Sequence, residues 1–416
     1  MDNFLQQQAN SGQIDSKDSE FGVDLERSLK KLSQFGLVEK YGYLMKALQA
    51  AHALDGQNLE CQIGVRKNTI SFSFEAQDEV SPEAVGESIL GRAKKPSQAA
   101  THLASAMLSA RGNGSPMVEW AFDQSRLCLG DVVKTQTRYT PGEITRGHFV
   151  CHHPFNLLSL QFKRLLPGYA GEQHFALYDR ARFFPRPLKL DGRFIERGWS
   201  RKSFAPGAWF DYMSLPYYLA EGYLAAPSLP SFSFPCSATA EFAPTVESSG
   251  VTHFRNKSFQ PAEDALSIPA PRDPRFFSVP TLLRIFAATS NAQVGEPIQC
   301  GIAAVLPLTL TGPATLVFLK DGLTCRPKRV ELGCSGMLVV ASAAGLQTDL
   351  TEFSIIENAN YKSRLTEIRN QVRSFLKEAM KHRGEFGLLK TVSQNLKPGH
   401  AQDVRQGIQA RLAGVR

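Results

Sequence analysis

Apolar residues fall into two rhythms along this chain, one helical and one alternating, and the rhythms take turns. From Asp24 the period is helical: Leu25, Leu29, Leu32 and Phe35 recur turn by turn, and Gly36 closes the helix. A second helix is expected from about Lys40 to Leu54. Its apolar face is Leu44, Ala47, Leu48, Ala51 and Leu54, and Asp55-Gly56 ends it. The period then drops to two. Strands are expected over 60–66 and 69–75 with Lys67-Asn68 as the turn, and Ile70, Phe72 and Phe74 alternate with Ser71, Ser73 and Glu75. Helical stretches follow at 82–90, with Pro82 in the first turn, and at 97–109, rich in small residues and broken by Arg111-Gly112-Asn113-Gly114. Val118–Phe122 and Leu127–Val133 read as further strands. The mixture predicts helices on one face of a mixed sheet.

The second half has a different texture. Residues 151–246 are rich in aromatics and Pro, with a helix expected at 157–166 and a strand at Phe183–Gly192 closing on an Asp-Gly turn. Pro and Ser crowd 226–274, the composition of a loop or flexible insertion. Order returns at Pro280. The segment 282–288 suits a strand or a short helix, and 303–310, 314–319, Val330, 337–342 and 353–356 suit strands. A basic amphipathic helix closes the pattern at 361–382, with Leu365, Ile368, Val372, Phe375 and Leu376 as its apolar stripe. The tail 383–416 is polar and basic. No repeat of fixed period occurs. The first 24 residues, rich in Gln, Asn, Ser and Asp, are expected to be a disordered tail.

Composition narrows the function classes only a little. The chain has 416 residues, enough for two or three domains, with 43% hydrophobic and 21% charged residues. Net charge is 47 − 39 = +8, which leaves nucleic acid, an anionic surface or an acidic protein open as partners. Seven cysteines at irregular spacing, with no CxxC, argue against a disulfide framework and a ribbon-type zinc site. The polar N-terminus carries no secretory pattern, and no apolar run of membrane-spanning length occurs, so a reducing cytoplasm is the expected setting.

The order helix, turn, two strands and acidic turn over Tyr43–Met107 resembles the start of the GHKL ATPases, the class of gyrase, heat-shock chaperone, histidine kinase and mismatch-repair ATPases. Laid on that family's first long helix, Leu54-Asp55-Gly56 matches its Leu-Asp-Ala end. Leu48 then stands where the family has the Glu that orients the attacking water, and His52 where it has the Asn that holds magnesium. After the second strand the family has Asp-x-Gly-x-Gly, whose Asp binds the adenine amino group and whose glycines let backbone close on the nucleotide. Here Glu75 stands in for the Asp, both glycines are absent, and Asp78 and Glu79 would repel phosphates. The family's Gly-rich lid would fall near 97–108, where no glycine occurs. Arg180–Arg193, Leu316–Leu332 and Gly345–Phe353 resemble the transducer module that follows the nucleotide domain.

The resemblance implies an α+β chain. A two-layer α/β sandwich of GHKL type would span 25–150. A second, transducer-like α/β domain would span 151–358, with its Pro/Ser-rich insertion at 226–274, before the basic helix and tail at 359–416. It implies a catalytically degenerate protein with no catalytic residues of its own, acting by partner binding or as a chaperone-like component. Any nucleotide contact would fall to His52, Asp55 and Glu75. ATP and magnesium enter only under the alternative of an active ATPase with drifted motifs. Protein partners are expected, and a homodimer is compatible. A third reading uses the basic helix for nucleic acid; Arg369, Arg373, Lys377 and Lys381 on that helix are the candidate partner-binding residues, whether the partner is protein or nucleic acid. GHFVCHHPF gathers His148, Cys151, His152 and His153, but adjacent histidines on a strand point apart, so no metal site is expected. No nucleophile elbow and no Walker loop is present.

Overall fold

Ile70, Phe72 and Phe74 put three large apolar side chains on one side of β2 (Thr69–Glu75), and all three are buried while the residues between them stay half-exposed. That alternation fixes which side of the first sheet carries the core. The computed structural model describes residues 41–64, 69–76, 78, 80–122, 125–130, 133–137, 146–152, 172–195, 218–235, 242–246, 252–256, 281–287, 297–307, 313–334, 336–349 and 352–381. Among these residues the chain is α+β, and two large sheets organise it.

The first sheet orders its strands β5 (Val133–Thr137), β4 (Ser125–Leu129), β3 (Val118–Phe122), β6 (Arg146–His152), β2, β1 (Gln57–Gly64), β7 (Leu188–Leu190) and β8 (Arg193–Phe194). Its pairings are antiparallel apart from β1–β7. A register shift in β1 between Gln57 and Glu60 coincides with the left-handed backbone of Asn58, the mark of a bulge. Three helices lie over the apolar side: α1 (Gly42–Ala53), α2 (Pro82–Ile89) and α3 (Gln98–Gly112). Alanines at 47, 50 and 51 on α1 and at 99, 100, 104, 106 and 110 on α3 are buried, and small side chains let these two helices pack closely. Ser81 and Ser97 cap α2 and α3, their hydroxyls accepting from Ala84 N at 3.2 Å and Ala100 N at 3.1 Å.

The second sheet runs β11 (Phe242–Val246), β12 (Thr252–Asn256), β13 (Thr281–Ala287), β9 (Tyr218–Leu224), β15 (Ile302–Pro307), β19 (Leu338–Ser342), β16 (Ala314–Lys320) and β17 (Leu323–Thr324), with β18 (Lys328–Val330) also on β16. A separate ribbon pairs β10 (Phe232–Pro235) with β14 (Pro297–Cys300). Helix α4 (Glu172–Arg180) precedes the β7–β8 hairpin, and α5 (Ala359–Lys381) lies across β9, β13 and β15. Ile368, Val372 and Phe375 are fully buried and Leu376 nearly so, as the apolar stripe requires.

Several elements depart from the sequence pattern. The apolar run 127–133 is divided between two antiparallel strands rather than forming one, with Leu129 facing Val133. In 183–192 only Leu188–Leu190 is strand, because Pro185 and Pro187 cannot join a ladder. The expected Asp-Gly turn is present: Asp191 (φ 50°) and Gly192 (φ 77°) are both left-handed, as a type I′ hairpin demands. Strands β10, β11 and β12 occupy parts of 226–274, and Pro244 is accommodated because β11 ends the described ladder. The 282–288 segment is strand β13, whereas 353–356 contributes only a bridge from Ile355 to Thr348. Helix α4 and strands β6 and β9 were not visible as elements in the apolar pattern. The expected helices at 25–36 and 157–166, the tail 1–24 and the stretch after 381 lie outside the described residues.

Candidate functional site

Every residue of α1 from Gly42 to Ala51 is buried, including Lys46 and Gln49, although the sequence marks one apolar face. The cover on the polar side comes from the second sheet. The tip of the β16–β17 hairpin, Lys320 to Thr324, reaches the helix layer, and Leu323 and Phe353 join the apolar core of the first sheet. Asp321 (φ 49°) and Gly322 (φ 78°) form the turn. A side chain at Gly322 would crowd the Phe184 ring at 3.0 Å, so the tip seats flush against residues 184–185.

A polar network is sealed into this joint. Lys46 is 1% exposed and its ammonium donates to Glu352 Oε2. Lys320 Nζ reaches the same oxygen at 3.2 Å and donates to Thr348 Oγ1 at 3.1 Å. Lys46 Nζ also lies 3.5 Å from His102 Nδ1. His102 Nε2 lies 3.4 Å from Asp321 Oδ2 and 3.5 Å from Gln98 Nε2. Gln98 Nε2 donates to Asp321 Oδ1 at 3.0 Å. Gln49 Nε2 faces the Lys320 carbonyl at 3.4 Å, while its Oε1 is buried without a partner. On the α4 side, Arg180 donates to the Thr324 carbonyl at 3.1 Å and lies 5.2 Å over the Phe353 ring.

Burial pulls the Lys46 amine below its ordinary value, and Glu352 only partly offsets it. Burial would raise the Glu352 carboxyl, but Lys46 and Lys320 outweigh it and hold the group below the usual carboxylate range. Asp321 is likewise held low, with burial opposed by His102 and Lys320. Both folded-state values lie below the unfolded ones. The stability these carboxylates contribute is therefore present above the ordinary range near pH ~4 and is lost as pH falls through the lower folded values. Thermal melts from roughly pH 6 down to 3 should show a falling midpoint, with a shallower fall in Glu352→Gln. Equal slopes in the two proteins would contradict this assignment.

His52 and Asp55 share the C-terminal end of α1. The His52 ring meets Phe184 edge-on at 5.7 Å, and burial lowers its pKa while Asp321 opposes that shift. Asp55 is left-handed (φ 54°), exposed, and ion-paired to Arg186. Glu75 ends β2 opposite Gln57, accepts from Asn58 Nδ2 at 2.6 Å and from Arg146 Nε at 2.8 Å, and is held low by those bonds. Leu48 is 0% exposed within the apolar core. On α5, Arg373 and Lys377 are exposed, whereas Arg369 Nε donates to the Glu331 carbonyl at 3.0 Å. Lys381 is the last residue of that helix.

A cleft of about 600 Å³ opens in front of the α2 and α3 N-termini, bordered by Val80, Ser81, Lys94, Lys95 and Ser97. Within the first core, Phe72, Phe74, Trp120 and Phe122 form a chain of ring contacts with centroids 5.7–6.2 Å apart. Gly147 leaves room for it, since a Cβ there would fall 2.5 Å from Trp120. The residues of the joint missed by sequence reasoning are Lys46, Gln49, His102, Lys320, Asp321 and Glu352. Their one signal was a Lys and a Gln inside an otherwise apolar helix.

No helix among the described residues is long and apolar enough to cross a membrane, and no group of three or more metal-ligating side chains converges there. No family model matches the chain, and no curated protein matches it. Among solved structures, the chain is similar to the B subunit of the DNA gyrase from Myxococcus xanthus, at 9% identity, over 81% of this chain and 90% of that one, with a TM-score of 0.36.

Proposed function

We propose that this chain is a GHKL-like protein that has given up ATP hydrolysis and works in the cytoplasm by presenting surfaces to protein partners, as a binding or chaperone-like component. One observation carries the reading: Leu48, where the resemblance puts the water-orienting Glu, is sealed in the apolar core. The nearby polar side chains of α1 do not supply a replacement base, because Lys46 and Gln49 are committed to the joint with the second sheet. Glu75, the stand-in for the adenine-binding Asp, is engaged with Asn58 and Arg146. Calorimetric titration of the full chain with magnesium-ATP is the test. No phosphate release is expected, and saturable binding accompanied by turnover would sink the proposal.

The cleft beside Lys94 and Lys95 favours a second reading, an active ATPase with drifted motifs. Under it, Glu75→Ala abolishes a measurable ATPase activity. The exposed Arg373 and Lys377 favour a third, nucleic-acid binding by α5. That reading requires affinity to fall steeply between low and moderate salt, and salt-independent binding or none removes it.

A further inference from the structure

We propose that Glu352 is the catch of a latch that holds the 320–324 hairpin against the helix layer, and that losing its charge releases the joint while both sheets stay folded. Lys46 is buried between its own helix layer and the hairpin, and the carboxylate that it bonds is that of Glu352. An ammonium left there without a carboxylate must give up its proton or reach water, and reaching water displaces Glu352 and the hairpin. Unpacking α1 from α3 would instead break the close alanine contacts of the first core.

The catch is held in position by its backbone. Glu352 sits at φ 61°, a conformation seldom taken by a residue other than glycine; its N–H donates to Asp349 O, and Asp349 N donates to Ser354 O, both at 2.9 Å. Lys320 Nζ shares the same oxygen and anchors the catch to the hairpin itself. Each sheet keeps its own core on release: one is formed by α1–α3 with the first sheet, the other by α5 with the second. Among the described residues, Leu323 and Phe353 are the ones that cross from the second sheet's side into the first core. Opening is therefore a local event of the kind hydrogen exchange resolves. The inference does not depend on whether the chain binds ATP.

Hydrogen exchange of the full chain tests it with Glu352→Gln, Lys46→Met and the double variant. In Glu352→Gln, α1, 320–324 and 352–355 should exchange about tenfold faster or more, with β3 and β19 unchanged. Lys46→Met removes the charge that needs a catch, so the double variant should return to slow exchange. Wild-type exchange in Glu352→Gln overturns the proposal, as does a uniform rise through both sheets or a double variant as open as the single. If Glu352→Gln does not accumulate folded, the double variant decides: a folded, slow-exchanging joint supports the latch, and failure to fold overturns it.

Discussion

Replacing Leu48 with Glu should destabilise the chain by roughly 4 kcal/mol or more and should yield no ATP turnover. The substitution restores the residue type that the GHKL resemblance expects there. The structure makes it a burial experiment instead. Leu48 is 0% exposed and belongs to one apolar cluster with Phe72, Leu103 and Met107. A carboxylate among them has no donor and no water, so it must ionise at heavy cost, take up a proton, or force α1 outward. Two companion variants separate the causes. Leu48→Met keeps the volume and should cost under about 1.5 kcal/mol, while Leu48→Ala opens a cavity and should cost about 2 to 5. Denaturant midpoints for the three should rank Met, Ala, Glu from mildest to worst. A stable Leu48→Glu protein with measurable phosphate release would show that position 48 can reach a nucleotide, and the burial argument drawn from Leu48 would fall with it.

What was legible in the sequence follows from how local each signal is. The period-two run Ile70–Phe74 and the helical stripe Ile368–Phe375 each arise from one buried face, and both strand and helix fall where the pattern puts them. Turn chemistry was legible too: Asp191-Gly192 is a left-handed hairpin turn. A short strand between prolines such as β10 was not, because its ladder partner lies far along the chain: β10 pairs with β14. The joint was the least legible part. Lys46 reads as the solvent side of an amphipathic helix, and nothing near it in sequence announces that a turn 306 residues later will cover it. His52, Asp55 and Glu75 were chosen by analogy to an ATP site. The structure gives each a local partner: the Phe184 ring, Arg186, and Asn58 with Arg146.

Phe375→Ala should cost about 3 to 5 kcal/mol, whereas Arg373→Ala and Lys377→Ala should each stay within about 0.5 kcal/mol of wild type. The contrast separates the two faces of α5, which is at once a core element and the candidate docking helix. Phe375 is 0% exposed and rests on Gly222 of β9, where a Cβ would come within 2.5 Å of the ring. The sheet has surrendered a side chain so that the ring can seat, and removing the ring leaves a void that backbone alone borders on that side. Gly222→Ala is the converse, an overpacked contact expected to cost about 1 to 3 kcal/mol. Arg373 and Lys377 project from the opposite face, exposed. Binding assays on those two variants therefore report on partner contacts alone, with the fold intact. If either lysine or arginine variant unfolded the chain as Phe375→Ala does, the basic face would be part of the core's support and its role as a free docking surface would be withdrawn. If the fold holds and partner affinity drops, function lies on the outer face of a helix whose inner face is committed to the second sheet.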